Sequence, residues 1–278
     1  MSKVWLVTGS SRGLGRELAQ AVLGAGHRLV ATARDPRHLA FLPPSDRLRT
    51  VALDVTDGAA ARAAVGAATS AFGSLDVVVH NAGYIKADSV EDQPEDEFRR
   101  QFEINFFGVY NVTRAVLPVM HAQRDGHIIQ ISSIGGRVGG TPGLSAYQTA
   151  KFGVEGFSEV LANEVAPLGI KVIIVEPGGI RTGWAAGAAV APGSFGADYE
   201  PTVGAWTRRF AQFSGVEPGD PALMAQAIVE VVGAPEPPRR LLLGSDALAL
   251  AVDAERGRLI EADTWADVSR STDLATAS

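Results

Sequence analysis

Val4-Trp5-Leu6-Val7-Thr8-Gly9-Ser10-Ser11-Arg12-Gly13-Leu14-Gly15 is the stretch that decides the fold. Four apolar residues read as a short buried strand, a glycine-rich turn follows, and a helical pattern then runs to about Ala25. A strand, a glycine turn and a helix N-terminus together bring main-chain N–H groups to one point, which suits a dinucleotide pyrophosphate. Gly9, Gly13 and Gly15 permit close approach of the backbone, Ser11 adds a hydroxyl and Arg12 a guanidinium. A tight turn with no ligand is the plain alternative.

Working outward, apolar runs at residues 29–33, 49–53, 75–80, 127–131, 171–175 and 241–243 read as further strands. Helical patterns lie between them, at residues 57–72 behind an Asp57 cap, from Pro94 to about 123, and at 145–165. Strands buried on both faces and alternating with helices predict an α/β fold, a Rossmann-type doubly wound parallel sheet of about seven strands. One domain over residues 1–278 is expected. Residues 179–219 break the pattern with Gly, Ala, Pro and aromatics and form a candidate substrate lid; residues 271–278 read as a frayed tail.

The composition removes several classes. Apolar residues make up 46% and charged residues 20%, which excludes a disordered chain. The net charge of −6 comes without a basic run, so no nucleic-acid surface is expected. The chain has no cysteine, and its five histidines show no ligand spacing, so no metal site is expected. No apolar stretch approaches the roughly 20 residues that span a bilayer, and the first strand begins too early for a signal peptide. A soluble cytoplasmic protein is the expectation.

The chemistry concentrates at Tyr147 and Lys151. On a helix that spacing puts both side chains on one face, and a phenol beside an ammonium is a proton donor whose ionised form is stabilised. Ordered before them come Asn81-Ala82-Gly83 after a strand, Asn105 in a helix, and Ser132-Ser133 at a strand end. Pro177-Gly178 follows them. With these residues in place, the chain resembles the short-chain dehydrogenase/reductase family over all but the lid and tail. The Gly-x-x-x-Gly-x-Gly spacing matches the family's variant of the dinucleotide turn.

The resemblance implies an oxidoreductase that moves hydride between a nicotinamide and a ketone or secondary alcohol. Asn105, Ser133, Tyr147 and Lys151 are then the catalytic set: Tyr147 the proton donor and acceptor, Ser133 on the substrate oxygen, Lys151 on the nicotinamide ribose, Asn105 supporting a water. The cofactor is expected to lie along Gly9, Ser11, Arg12, Gly13, Leu14 and Gly15, with Asp54 and Val55 at the adenine and Asn81, Ala82 and Gly83 alongside. Pro177, Gly178, Ile180 and Thr182 would meet the nicotinamide. The second strand ends in Ala33-Arg34, where an acid would bind ribose hydroxyls, so Arg34 with Arg12 predicts NADP(H). Asp35, slipped by two positions, is the argument for NAD(H).

Ser133 and Tyr147 lie 14 positions apart (147 − 133), one more than the family usually shows, and the extra residue is placed in Gly139-Gly140-Thr141. Ser132 is the weaker candidate, and Ser145 reads as a helix cap. Arg181 has no evident role. Trp184, Phe195, Tyr199, Trp206 and Phe210 suggest an apolar substrate pocket, or merely lid packing. Pairing of the two long helical regions between copies, giving a homodimer or homotetramer, is implied by the resemblance. Two other readings are a non-catalytic NADP-binding regulator and a nucleotide-sugar epimerase or dehydratase. The intact Tyr147/Lys151 pair argues against the first, and the lack of a second substrate domain against the other.

Overall fold

The computed structural model describes residues 2–183 and 195–274. Trp184 and the last four tail residues lie outside them. Along the chain run β1 Val4–Val7, α1 Gly13–Gly24, β2 Arg28–Ala33, β3 Leu48–Ala52, α2 Gly58–Phe72, β4 Val77–His80, α3 Glu95–Phe102 and α4 Gly108–Gln123. Then come β5 Gly126–Ile131, α5 Ile134–Arg137, α6 Ser145–Val165, β6 Ile170–Pro177, α7 Ala205–Phe213, α8 Pro221–Val231, β7 Arg240–Leu243, α9 Ser245–Thr264 and α10 Ala266–Arg270. The sheet order is β3-β2-β1-β4-β5-β6-β7, with every neighbouring pair parallel. Strand order reverses between β1 and β4, which opens the crevice where such sheets take ligands.

Alternate residues of each strand serve opposite faces, so a strand buried on both sides must be apolar throughout. In β1, Trp5 and Val7 join a core built with Leu14, Leu18 and Val22 of α1 and Met224 and Ile228 of α8. Val4 and Leu6 face the other layer, against Ala61, Ala64 and Ala68 of α2, Val112, Val116 and Met120 of α4, and Leu161 and Val165 of α6. Fully burying one such aliphatic side chain contributes about 1.5–3 kcal/mol. The alanines of α2 leave little bulk between helix and sheet. Asp57 caps that helix, accepting from the N–H groups of Ala59 and Ala60.

The helix expected from Pro94 onward is interrupted. A π-turn, Glu103–Phe107, separates α3 from α4. The Asn105 side-chain amide donates to the Gln101 carbonyl, the group that the Asn105 backbone N–H would use in an α-helix. The turn then closes one residue wider, with the Gly108 N–H donating to the Glu103 carbonyl. Helices α7 to α10 are absent from the sequence expectation. On α9 apolar residues fall on all sides, so no period marks it.

Candidate active site

A cavity of about 740 Å³ opens at the C-terminal ends of the strands. Gly9, Ser11, Arg12, Gly13 and Leu14 from the β1–α1 turn line it, with Arg34, Asp54 and Val55 from the ends of β2 and β3. Asn81, Ala82 and Gly83 follow β4, Asn105 comes from the π-turn, Ser133 follows β5, and Tyr147 and Lys151 come from α6. Pro177, Gly178, Ile180 and Thr182 close the wall at and beyond the end of β6. Gly15 does not line the cavity. A Cβ there would sit 2.3 Å from the Gly9 carbonyl oxygen, so this glycine lets α1 pack under the turn.

The turn is held by β4. Thr8 Oγ1 accepts from the N–H groups of Asn81 and Ala82 at 2.9 and 3.0 Å, and Asn81 Nδ2 donates to the Thr8 and Gly9 carbonyls. Gly9 and Gly13 have φ of +68° and +55°, the left-handed region that favours glycine, and both line the cavity; a Cβ at Gly9 would also meet the Ala82 Cα at 3.0 Å, so that glycine lets the turn pack against the segment after β4. Asn105 fastens the next segment: its Oδ1 accepts from the Tyr84 N–H, and its Nδ2 donates to the Tyr84 carbonyl. A Cβ at Gly83 would meet Asn105 Oδ1 at 2.7 Å, which explains glycine there.

At the β2 end, Asp35 is committed elsewhere. Its carboxylate accepts from Arg37 Nε and Nη2, and from the Arg37 N–H that it caps. Asp35 is not among the cavity-lining residues, whereas Arg12 and Arg34 are, and neither arginine forms an ion pair among the described residues. Asp54 Oδ1 accepts from the Thr56 N–H and hydroxyl, and these bonds, with Arg34 and Arg100 nearby, hold its carboxyl below the ordinary range against some burial.

Around Tyr147 the arrangement is tight. Its ring is buried, and its hydroxyl is hydrogen-bonded to Ser133. Burial pushes the phenol well above its ordinary pKa, and the Ser133 bond opposes that shift. Lys151 is buried too, with Nζ 5.8 Å from the Tyr147 ring centroid and donating to the Ile131 carbonyl at 2.7 Å. Burial pushes its ammonium down to about 8, and the Glu155 carboxylate opposes that.

The additional residue between Ser133 and Tyr147 is absorbed by the loop before α6. Gly139, Gly140 and Gly143 all have positive φ. Gln148 clamps the loop: its Oε1 accepts from the Thr141 N–H, and its Nε2 donates to Thr141 Oγ1 at 2.8 Å. Ser133 therefore stays in register with Tyr147, and Gln148 and Thr141 line the cavity, although neither residue type nor spacing marks them out. Ser132 also lines the cavity, but its hydroxyl lies toward Glu155. Leu144, not Ser145, occupies the cap position of α6, and the Ser145 hydroxyl donates to Gln93.

Trp206 and Phe210 of α7 stack at 4.7 Å and pack with Ile85, Ala87, Leu144 and Tyr147, giving the cavity an apolar wall beside the phenol. Tyr199 instead donates its hydroxyl to Glu91 at the surface. Arg181 gains a role: Nε and Nη2 donate to the Glu217 carbonyl and its N–H to the Gly219 carbonyl, anchoring the two ends of the segment after β6. Among the described residues no cluster could hold a metal ion, and no helix is long and apolar enough to cross a membrane.

The family model described as short chain dehydrogenase matches residues 3–190. An oxidoreductase of Botryotinia fuckeliana, BOA17, is 46% identical over 272 residues, covering 97% of this chain and 98% of its own. A short-chain dehydrogenase structure from Streptomyces avermitilis superposes with a TM-score of 0.88 at 40% identity, covering 99% of this chain and all of that one. Two structures that share the fold at 24% identity, short-chain dehydrogenases from Burkholderia cenocepacia and Burkholderia phymatum with TM-scores of 0.74 and 0.78, are complexes with NADP and with NAD respectively.

Proposed function

The chain belongs to the short-chain dehydrogenase family, and on that premise we propose an NADP(H)-dependent oxidoreductase acting on an apolar ketone or its secondary alcohol. The observation that carries this reading is the Ser133–Tyr147 hydrogen bond, with Lys151 beneath it, opening into the same cavity as the bare glycine turn.

The chain's own residues suit such a cofactor. Gly9 and Gly13 line the part of the cavity where a pyrophosphate would lie, with Ser11 and Leu14 beside them and Gly15 supporting the turn. Arg12 and Arg34 suit a 2′-phosphate, for which a paired guanidinium fork gives charge-assisted bonds. Asp54 and Val55 are placed for the adenine, Asn81, Ala82 and Gly83 for the dinucleotide's length, and Pro177, Gly178, Ile180 and Thr182 for the nicotinamide end. When bound, NADPH supplies the hydride that reduces the carbonyl carbon.

Tyr147 holds the proton that the carbonyl oxygen takes up in reduction, and takes it back in oxidation. Ser133 donates to that oxygen as charge develops on it, so its hydroxyl turns from phenol to substrate. Lys151 favours the ionised phenol and binds the nicotinamide ribose. Asn105 acts by position, tying the Gly83–Tyr84 segment to the helix. Trp206 and Phe210, from the described part of the 179–219 lid, support an apolar substrate. Exposed Phe107, Phe152 and Val160, on the π-turn and α6, support pairing of these helices between copies as a homodimer or homotetramer.

The test is titration with NADPH and NADH separately, followed by a panel of apolar ketones with NADPH consumption as readout. Selective NADPH binding with turnover supports the proposal. Tight binding without turnover would favour a cofactor-binding regulator, and preference for NADH would remove Arg34 from the cofactor.

A further inference from the structure

Behind Lys151 lies a buried ionic cluster that the reaction, as described, leaves unused. Glu155 sits one helical turn beyond Lys151 on α6 and is 6% exposed; Glu176 on β6 is fully buried. A single nitrogen of Arg240, Nη1, donates to both, touching Glu155 Oε2 and reaching Glu176 Oε1 at 2.7 Å. Arg240 Nη2 goes to Glu159 at 2.7 Å, and Arg137 Nη1 completes Glu176 at 3.1 Å. Both oxygens of Glu176 are thus paired. Glu155 is paired only through Oε2: its Oε1 has no hydrogen-bond partner among the described residues, nor has the Ser132 hydroxyl facing it.

A buried ion cluster is a costly way to fill a core, since apolar side chains of like volume serve stability as well or better. What distinguishes Glu155 is its address. It is four residues from Lys151 on the same face of α6, and both side chains are buried, so the two charges act on each other across a short stretch shielded from water without forming a direct ion pair among the described residues. The other neighbours of that ammonium are the Ile131 carbonyl and the Tyr147 ring.

We propose that Glu155 is a positioning residue for the reaction: its carboxylate, kept ionised by Arg240, holds Lys151 in the charged form beneath the cleft. The inference rests on the catalytic reading of Tyr147 and Lys151. The groups facing Glu155 from each packed element are Lys151 on its own helix, Ser132 after β5, Glu176 on β6 and Arg240 on β7. Burial drives the Glu155 carboxyl toward its neutral form, Glu176 adds to that, and Arg240 resists it. Further out, Arg137, Glu159, Arg239 and Glu255 close the network.

The chain has four lysines, Lys3, Lys86, Lys151 and Lys171, so their side chains can be followed singly by NMR of carbon-13-labelled lysine. The Lys151 signal is assigned by its loss in Lys151→Arg. In the wild type it is expected to titrate near 8. In Glu155→Gln it should titrate about one pH unit lower, because an adjacent opposite charge is gone. Gln keeps the shape and an acceptor for Arg240. Glu155→Met serves as a second charge-removing variant, leaving Arg240 with Glu176 and Glu159.

The alkaline limb of kcat/KM should move down with the lysine, leaving activity at pH 6 within about twofold, and Glu155→Asp should restore most of the wild-type profile. An unmoved Lys151 titration in the charge-removing variants overturns the inference. The titration needs no turnover, so failure of the catalytic reading shows separately, as a wild type that consumes no NADPH with any ketone while Lys151 still responds to Glu155.

Discussion

Lys151 Nζ donates to the Ile131 carbonyl at 2.7 Å, fastening the helix that carries Tyr147 to the end of the strand that leads into Ser133. The proton donor, its hydroxyl partner and the ammonium are therefore held by one short circuit of main chain and side chain. With burial bringing Lys151 to about 8, that circuit loses its charge within the range of ordinary buffers.

A pH profile follows. Reduction needs Lys151 charged and Tyr147 protonated. Burial keeps the phenol protonated throughout, so the lysine sets the limb. As pH rises through about 8 the ammonium loses its proton, and kcat/KM should fall about tenfold per further unit. A profile flat to pH 10 with saturating NADPH would remove Lys151 from the mechanism.

Gly136→Ala should damage the site without replacing any polar side chain in it. A Cβ there would lie 2.8 Å from Ser132 Oγ and 2.9 Å from the Lys151 Cβ. Overpacking of this kind costs about 1–3 kcal/mol and shifts backbone. Loss of turnover together with a lowered unfolding midpoint is expected; wild-type values for both would mean that α5 and α6 are less closely packed than described.

Arg34→Ala should weaken NADPH far more than NADH, by about 1.5–3 kcal/mol for a lost charge-assisted bond. Equal weakening of the two cofactors, measured by tryptophan quenching, would make the arginine structural. Asp35→Ala should leave NADH affinity nearly unchanged, because that carboxylate is already engaged by Arg37.

Stability should depend on pH through His80. Its ring is fully buried and shares a hydrogen bond with Thr113 at 3.2 Å, and burial pushes its pKa down to about 3. Above 6.5 neither state is protonated and the full stability is present. Between 6.5 and 3 the unfolded chain takes up a proton that the native ring refuses, so stability falls by about 1.4 kcal/mol per pH unit. Urea unfolding at pH 7 and pH 5 should show this loss, reduced in His80→Asn. An equal pH slope in the variant would assign the effect to other groups.

The sheet was legible because its central strands are largely apolar on both faces, and all seven expected segments fall within two residues of those observed. The site residues were legible where a chemical type recurs at fixed spacing, as with Tyr147 and Lys151. Asn105 was visible, but not the π-turn it causes, since a side chain taking a helix carbonyl leaves no trace in the hydrophobic period. The Thr141–Gln148 clamp and the Arg240–Glu176 pairing were hidden for another reason. They join residues distant in the chain or unremarkable in type, and only the folded packing reveals that both members are there. Arg181 looked purposeless because its partner is a main-chain carbonyl.

The central claim is that the phenol of Tyr147 carries the proton of a carbonyl reduction, and Tyr147→Phe tests it most directly. NADPH affinity and NADPH consumption with a ketone accepted by the wild type are measured on the same preparations. Nearly unchanged binding with turnover lost by orders of magnitude is the predicted result. Turnover by Tyr147→Phe at the wild-type rate would contradict the account.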